Sequence, residues 1–171
     1  MQPYQIRSET IADVAAIAEV NQLAFGRQNE AYLVEQIRQS DRFIPSLSLV
    51  AEVDGKVVGH ILFSYVDLVG EQQLQVLALA PMAVHPTVQR QGIGTQLVET
   101  GLAIADTMQE SLIIVLGHPA FYTRFGFKPS IHYDIEPPFS VPEEAFMSKP
   151  LKHHQTTYRG IVAYPPAFNG V

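Results

Sequence analysis

V-H-P-T-V-Q-R-Q-G-I-G-T, residues 84–95, joins an apolar run to an amphipathic pattern, and the fold is read outward from it. Gln89, Arg90 and Gln91 precede Gly92 and Gly94, and residues without a Cβ let the backbone N–H groups of a helix start approach an anion closely. The helix dipole adds positive potential at the same point. Downstream, Ile93, Leu97, Val98, Gly101, Leu102, Ala105 and Met108 recur at helical spacing, which predicts an amphipathic helix to about Thr107. Leu112 to Leu116 is a short, wholly apolar run with the character of a strand buried on both faces. Strand, loop, helix and strand in that order make a crossover, so the runs Leu74 to Val84 and Leu112 to Leu116 are expected parallel and side by side.

Upstream, Leu47 to Val53 and Lys56 to Tyr65 are rich in β-branched residues and meet at Asp54-Gly55, a strong hairpin signal. Pro81 interrupts the third apolar run; it cannot donate to a ladder, so it belongs at a bulge or where the strand has lost a neighbour. A short strand is expected at Tyr4 to Arg7. Thr10 with Asp13 then opens a helix to about Phe25, with Ile11, Val14, Ile17, Ala18 and Ala24 on one stripe and Gly26 as its stop. A second helix from about Asn29 is expected to carry Tyr32, Leu33 and Ile37 inward. After Gly117-His118-Pro119 a short helix runs to Arg124, with Gly126 as a left-handed cap. From Lys128 the chain is Pro-rich and irregular, with a last strand at Ile161 to Tyr164. The pattern predicts one α/β domain over 1–171, a mixed, mostly antiparallel sheet with helices on both faces.

With 171 residues, 47% hydrophobic and 16% charged, there is material for one well-buried core. No apolar run reaches membrane-spanning length and the N-terminus lacks a signal-peptide core, so a cytoplasmic protein with no membrane partner is expected. The chain has no cysteine, which removes disulfides, thiolate metal sites and cysteine nucleophiles. A net charge of −6 without a dense Lys/Arg cluster disfavours nucleic acid and suits a cationic acceptor, though solubility accounts for it equally well. No metal is expected, since His153 and His154 are adjacent rather than one helical turn apart. His85 reads as a loop residue and His60 as a histidine satisfied within a strand. A sheet edge near the C-terminal strand leaves open pairing with a second copy of the chain, a homodimer, or cover by the tail.

Two phosphate-binding patterns fail. A Walker loop needs a Lys after the second Gly, and none follows Gly94; a dinucleotide fingerprint needs a third small residue where Leu97 stands. What remains is Q/R-x-x-G-x-G/A, here Gln89-Arg90-Gln91-Gly92-Ile93-Gly94. With the upstream hairpin and the block G-H-P-A-F-Y-T-R-F-G-F at 117–127, the chain resembles over nearly its whole length the GNAT superfamily of acyl-CoA-dependent N-acyltransferases. Within it, the likeness is to small, widely distributed bacterial predicted N-acetyltransferases.

That resemblance implies a GNAT-like fold in which the strand ending at Val84 splays from the parallel strand ending at Leu116. The pantetheine arm of acetyl-CoA would lie in the gap against Met82, Ala83 and Val84, and the pyrophosphate on the N–H groups of Gln91, Gly92, Ile93, Gly94 and Thr95. Gln89 and Arg90 border that grip. Residues 128–171 and the loop at Gly26 to Asn29 would wall the acceptor, a small-molecule or peptide amine. Acyl transfer to an amine needs a neutral amine, a donor for the oxyanion and a proton for the departing thiolate. Backbone N–H near Ala83 or Val84 is the oxyanion donor, and Tyr122 matches the family's acid. The base is open: the strand Leu77 to Val84 holds no carboxylate, which leaves Glu30 and His118. The alternative is a non-catalytic acyl-CoA-binding regulatory module.

Overall fold

Asp54 and Gly55 make the expected tight turn, with φ of 49° and 77°, both in the left-handed region that a two-residue hairpin requires. The turn joins β2 (Phe43–Val53) to β3 (Lys56–Val69) as an antiparallel pair starting at Val53↔Lys56. The computed structural model describes residues 3–171. They group into two units, one of residues 3–64, 80–104 and 167–171, the other of residues 65–79 and 105–166. Strand β3 and strand β4 (Gln73–Val84) each give residues to both.

In the first unit β1 (Gln5–Ser8) pairs antiparallel with β2. Thr10 N donates to Asp13 Oδ2 at 2.7 Å, and the capped turn leads into α1 (Val14–Phe25), which ends at left-handed Gly26 with φ 68°. The helix α2 (Asn29–Arg38) follows after a short loop. Ile17 of α1 and Leu33, Val34 and Ile37 of α2 pack on Val50 and Leu62, the inward face of β2 and β3. The opposite face carries α3 (Ile93–Thr107): a Cβ at Gly59 of β3 would stand 3.1 Å from Leu97 and 3.2 Å from Ile93. Alternate residues of one hairpin therefore face helices on either side, as the period of two dictates.

Two inward assignments differ from the sequence expectation. Ile11 is 93% exposed, because it lies in a 3-10 turn, Ile11–Asp13, whose three-residue repeat takes it off the α1 stripe. Tyr32 is 60% exposed. The buried residues of α2 are Glu30, Ala31, Leu33, Val34 and Ile37, a stripe built on the i, i+3, i+4, i+7 set from Glu30, which Tyr32 does not join.

In the second unit β4 lies parallel to β5 (Leu112–Leu116) at Leu77↔Ile113 and Ala78↔Ile114. The ladder stops there although β5 continues to Leu116 and β4 to Val84. Pro81 stands three residues past its last rung, where a missing donor costs no β5 hydrogen bond. The other side of β5 is filled from the tail expected to be irregular: β8 (Phe146–Pro150) pairs with it antiparallel from Leu112↔Pro150 to Leu116↔Phe146. Strand β6 (Lys128–Pro129) continues the sheet beyond β8. The last strand, β9 (Gly160–Ala163), pairs with the end of β3 and with β7 (Ile135–Glu136), so it has a neighbour on each side and is no open edge there. Among the described residues no helix is long and apolar enough to cross a membrane.

Candidate active site

The chain leaves β4 at Val84, makes one 3-10 turn over Pro86–Val88 and enters α3 at Ile93. Between them Arg90 and Gly92 take left-handed backbone, φ 61° and 89°. A Cβ on Gly92 would meet nothing within 4 Å, so open space lies over the loop. At Gly94 the requirement is contact instead: a Cβ would stand 3.4 Å from Met82 Cε and Sδ and 3.7 Å from Val84 Cγ2. The first turn of α3 is thus brought against the end of β4, and Met82, Val84 and Gly94 are brought together. Gln89 Nε2 donates to Val84 O at 2.9 Å and ties the loop down. The first intrahelical bond runs from Gln96 N to Gly92 O at 3.0 Å, which leaves the N–H groups of Ile93 and Gly94 ahead of the helical ladder. Gln89 to Gly92 are exposed while Ile93 and Ala83 are buried. Donors at a helix start, next to the open space over Gly92, suit an anion.

Tyr122 and His118 belong to the second unit, Tyr122 at the end of one short helix, α4 (Pro119–Tyr122), and His118 at its N-cap. Pro119 at its first position has the fixed φ a helix needs. The His118 carbonyl accepts from Phe121 N and Tyr122 N, both at 3.1 Å. Its ring is exposed and makes no capping bond. Tyr122 is 7% exposed, edge-on to Phe121 at 4.9 Å and to Phe127 at 5.7 Å between ring centres. Gly117 supplies room for the ring: a Cβ there would stand 2.5 Å from Tyr122 Cε2. Burial pushes the phenol pKa up to about 12, because water no longer solvates the phenolate. Among the described residues the hydroxyl has no hydrogen-bond partner. An O–H without an acceptor, at the tip of an otherwise buried ring, is ready to donate to one that arrives.

Glu30 sits in the first turn of α2, in the first unit. Its carboxylate is held by Arg27, with Nε donating to Oε1 at 2.9 Å and Nη2 to Oε2 at 2.5 Å. The pairing raises the Arg27 pKa, through these hydrogen bonds first. Arg27 is a residue that sequence reading passed over, although its spacing of three from Glu30 was a visible signal. Gly117 stands in the block at 117–127, but its part in making room for the Tyr122 ring is not visible in the sequence.

His60 belongs to the core. It is fully buried on β3, its Nδ1 3.3 Å from Asn21 Nδ2 and its Nε2 3.1 Å from Ser48 Oγ. Ser48 donates to Glu9, so it accepts from His60 Nε2–H, and Asn21 donates to Nδ1. Burial, and then the charge of Arg38, push the His60 pKa down to about 3. His85 accepts from Thr87 N at 3.2 Å within its own loop. Among the described residues no group of three or more His, Cys, Asp or Glu could hold a metal ion.

A sequence model of the acetyltransferase (GNAT) domain matches residues 45–129. Over 166 residues the chain is 36% identical to the uncharacterized N-acetyltransferase YhbS of Escherichia coli K12, covering 96% of this chain and 98% of that protein. It is 39% identical over 135 residues to the uncharacterized N-acetyltransferase YjhQ of the same strain, 78% of this chain and 75% of that protein. Among solved structures, Escherichia coli YhbS in complex with CoA superposes with a TM-score of 0.89 at 34% identity, covering 99% of this chain and 93% of that one. A GNAT family acetyltransferase from Brucella melitensis in complex with acetyl-CoA does so with 0.80 at 33%, covering 99% and 100%.

Proposed function

The chain belongs to the GNAT family of N-acetyltransferases, and on that premise we propose that it moves the acetyl group of acetyl-CoA directly to a primary amine of a small molecule or peptide. The reading takes residues 1–171 as one N-acetyltransferase domain. The observation that carries it is the loop at Gly92, left-handed and open above, at the start of a helix seated on Met82 and Val84. Those features fit a pyrophosphate on the N–H groups of Gln91 to Thr95, with Gln89 and Arg90 at its border, and a pantetheine arm beside Met82, Ala83 and Val84.

In this reaction the amine nitrogen attacks the thioester carbonyl, a C–N bond forms, and the C–S bond breaks. A backbone N–H near Ala83 or Val84 is proposed to receive the oxyanion. Tyr122 donates its proton to the departing thiolate; the role is supported by a phenol that stays protonated well above neutral pH and lacks a partner of its own. His118, whose ring is exposed and makes no capping bond, is proposed to take the amine proton. Glu30 has both oxygens engaged by Arg27 and suits a counter-ion better than a base.

A non-catalytic acyl-CoA-binding module is the competing reading, and two variants separate the possibilities. Gly92→Glu puts a strained, anionic side chain where the phosphates would sit, and calorimetry should show acetyl-CoA binding weakened by at least about tenfold. Unchanged binding would remove both readings. Tyr122→Phe should keep that binding while slowing thiol release; equal release in variant and parent would remove Tyr122 as the acid, and no release above background in either would leave only the binding module.

A further inference from the structure

Three side-chain carboxylates of the first unit are nearly buried, those of Glu9, Asp13 and Glu30, exposed by 7%, 9% and 8%. Each faces an arginine, but the surroundings differ. Asp13 accepts from Arg7 and also from the Thr10 backbone and hydroxyl, and Arg7 is shared with Glu52. Glu9 accepts from Arg38 and from Ser48, and Arg38, 18% exposed, is also bound to Glu35. These two are woven into the fold. Among the described residues Glu30 depends on Arg27 alone, and Arg27 is 55% exposed with no second partner there.

We infer that Glu30 is a cation seat that Arg27 fills in the resting protein, and that an alkylammonium acceptor enters by displacing the Arg27 guanidinium. The inference rests on the amine-acetylation reading above and makes Arg27 a specificity-determining residue for it. A buried carboxylate must keep a cation, because leaving it unpaired is costly. The group that keeps it here is the end of a long side chain already half in water, which loses rotamer freedom by staying. Exchange of one monocation for another leaves no unpaired buried charge, and the freed guanidinium swings into solvent. A neutral or anionic molecule has nothing to gain at Glu30, so the seat selects amines that arrive protonated. A net charge of −6 favours their approach.

The test is a carbon-13 NMR titration of the full chain labelled at the glutamate side-chain carboxyls, at pH 8, with n-butylammonium as the probe and n-butanol as its neutral counterpart. The Glu30 signal is the one lost in Glu30→Gln. It should shift saturably with n-butylammonium and not with n-butanol. In Arg27→Gln, which keeps a hydrogen bond to the carboxylate without the charge, binding should tighten about fivefold, and Arg27→Lys should restore parental affinity. The same Arg27→Gln change should lower the KM for an alkylamine acceptor by that factor and leave the KM for acetyl-CoA alone. Equal or weaker n-butylammonium binding in Arg27→Gln overturns the inference, as does the absence of a saturable shift. If the amine is acetylated but Arg27 has no effect, the seat fails and the transfer reading stands. If the seat behaves as described but no amine is acetylated, the transfer reading fails instead.

Discussion

Tyr122 lies against Phe121 and Phe127 with its hydroxyl free for an incoming acceptor and its pKa pushed up to about 12 by burial. Protonated phenol is the form a general acid needs, so its contribution is present below the folded pKa and lost only as pH rises through about 12. A plot of kcat against pH should therefore show no fall centred near 10, where an ordinary tyrosine titrates; a fall there would show that the phenol is solvated. Tyr122→Phe should lower kcat about a hundredfold or more, with acetyl-CoA affinity within about twofold. His60 gives the opposite sign. Its folded pKa, about 3, lies below the unfolded value, so the neutral ring stabilises the fold fully above about pH 6.5 and that stability is lost as pH falls toward 3. Each unit of that fall costs up to about 1.4 kcal/mol. The urea midpoint should drop between pH 6.5 and 4.5, and it should drop less in His60→Gln, which keeps a donor for Ser48.

The elements that carry the site were legible where period and punctuation agreed. Ile93 to Thr107 shows helical spacing with Gly92 ahead of it, and α3 occupies those bounds. Gly101 shows what spacing alone did not reveal: a Cβ there would overlap Phe63 Cε1, so this glycine sets how closely α3 lies on β3. Gly101→Ala should force the ring aside and destabilise by about 1 to 3 kcal/mol, read from the urea midpoint, whereas Gly26→Ala, with nothing within 4 Å but φ 68°, tests backbone strain alone. Strand β8 was hidden because Phe146-Met147-Ser148 is short, framed by Pro142 and Pro150, and carries no alternation. Its place beside β5 is a tertiary fact. Arg27 was hidden for a different reason: an arginine in a loop is ordinarily solvated, and only the burial of Glu30 gives it a role.

Over the whole molecule, the order of elements was legible because the hairpin at Asp54-Gly55, the glycine loop and the block from Gly117 to Phe127 stand in one sequence order. Which of these residues touch a substrate is a matter of distances and burial that no linear pattern encodes. The unpartnered hydroxyl of Tyr122 and the Arg27 clasp on Glu30 are both features of that kind, invisible to a linear pattern. Acetyl-CoA in saturating excess should also raise the stability of the folded chain, by about 2.7 kcal/mol at a hundred times its Kd. The most direct measurement is to incubate the full chain with carbon-13 acetyl-CoA and a panel of alkylamines, amino acids and peptides, following free thiol and the mass of each acceptor together. The account predicts thiol released in step with acetyl gained by at least one primary amine, and lost in Tyr122→Phe. Acetyl-CoA bound at the loop with no acceptor labelled and no thiol above background would contradict it.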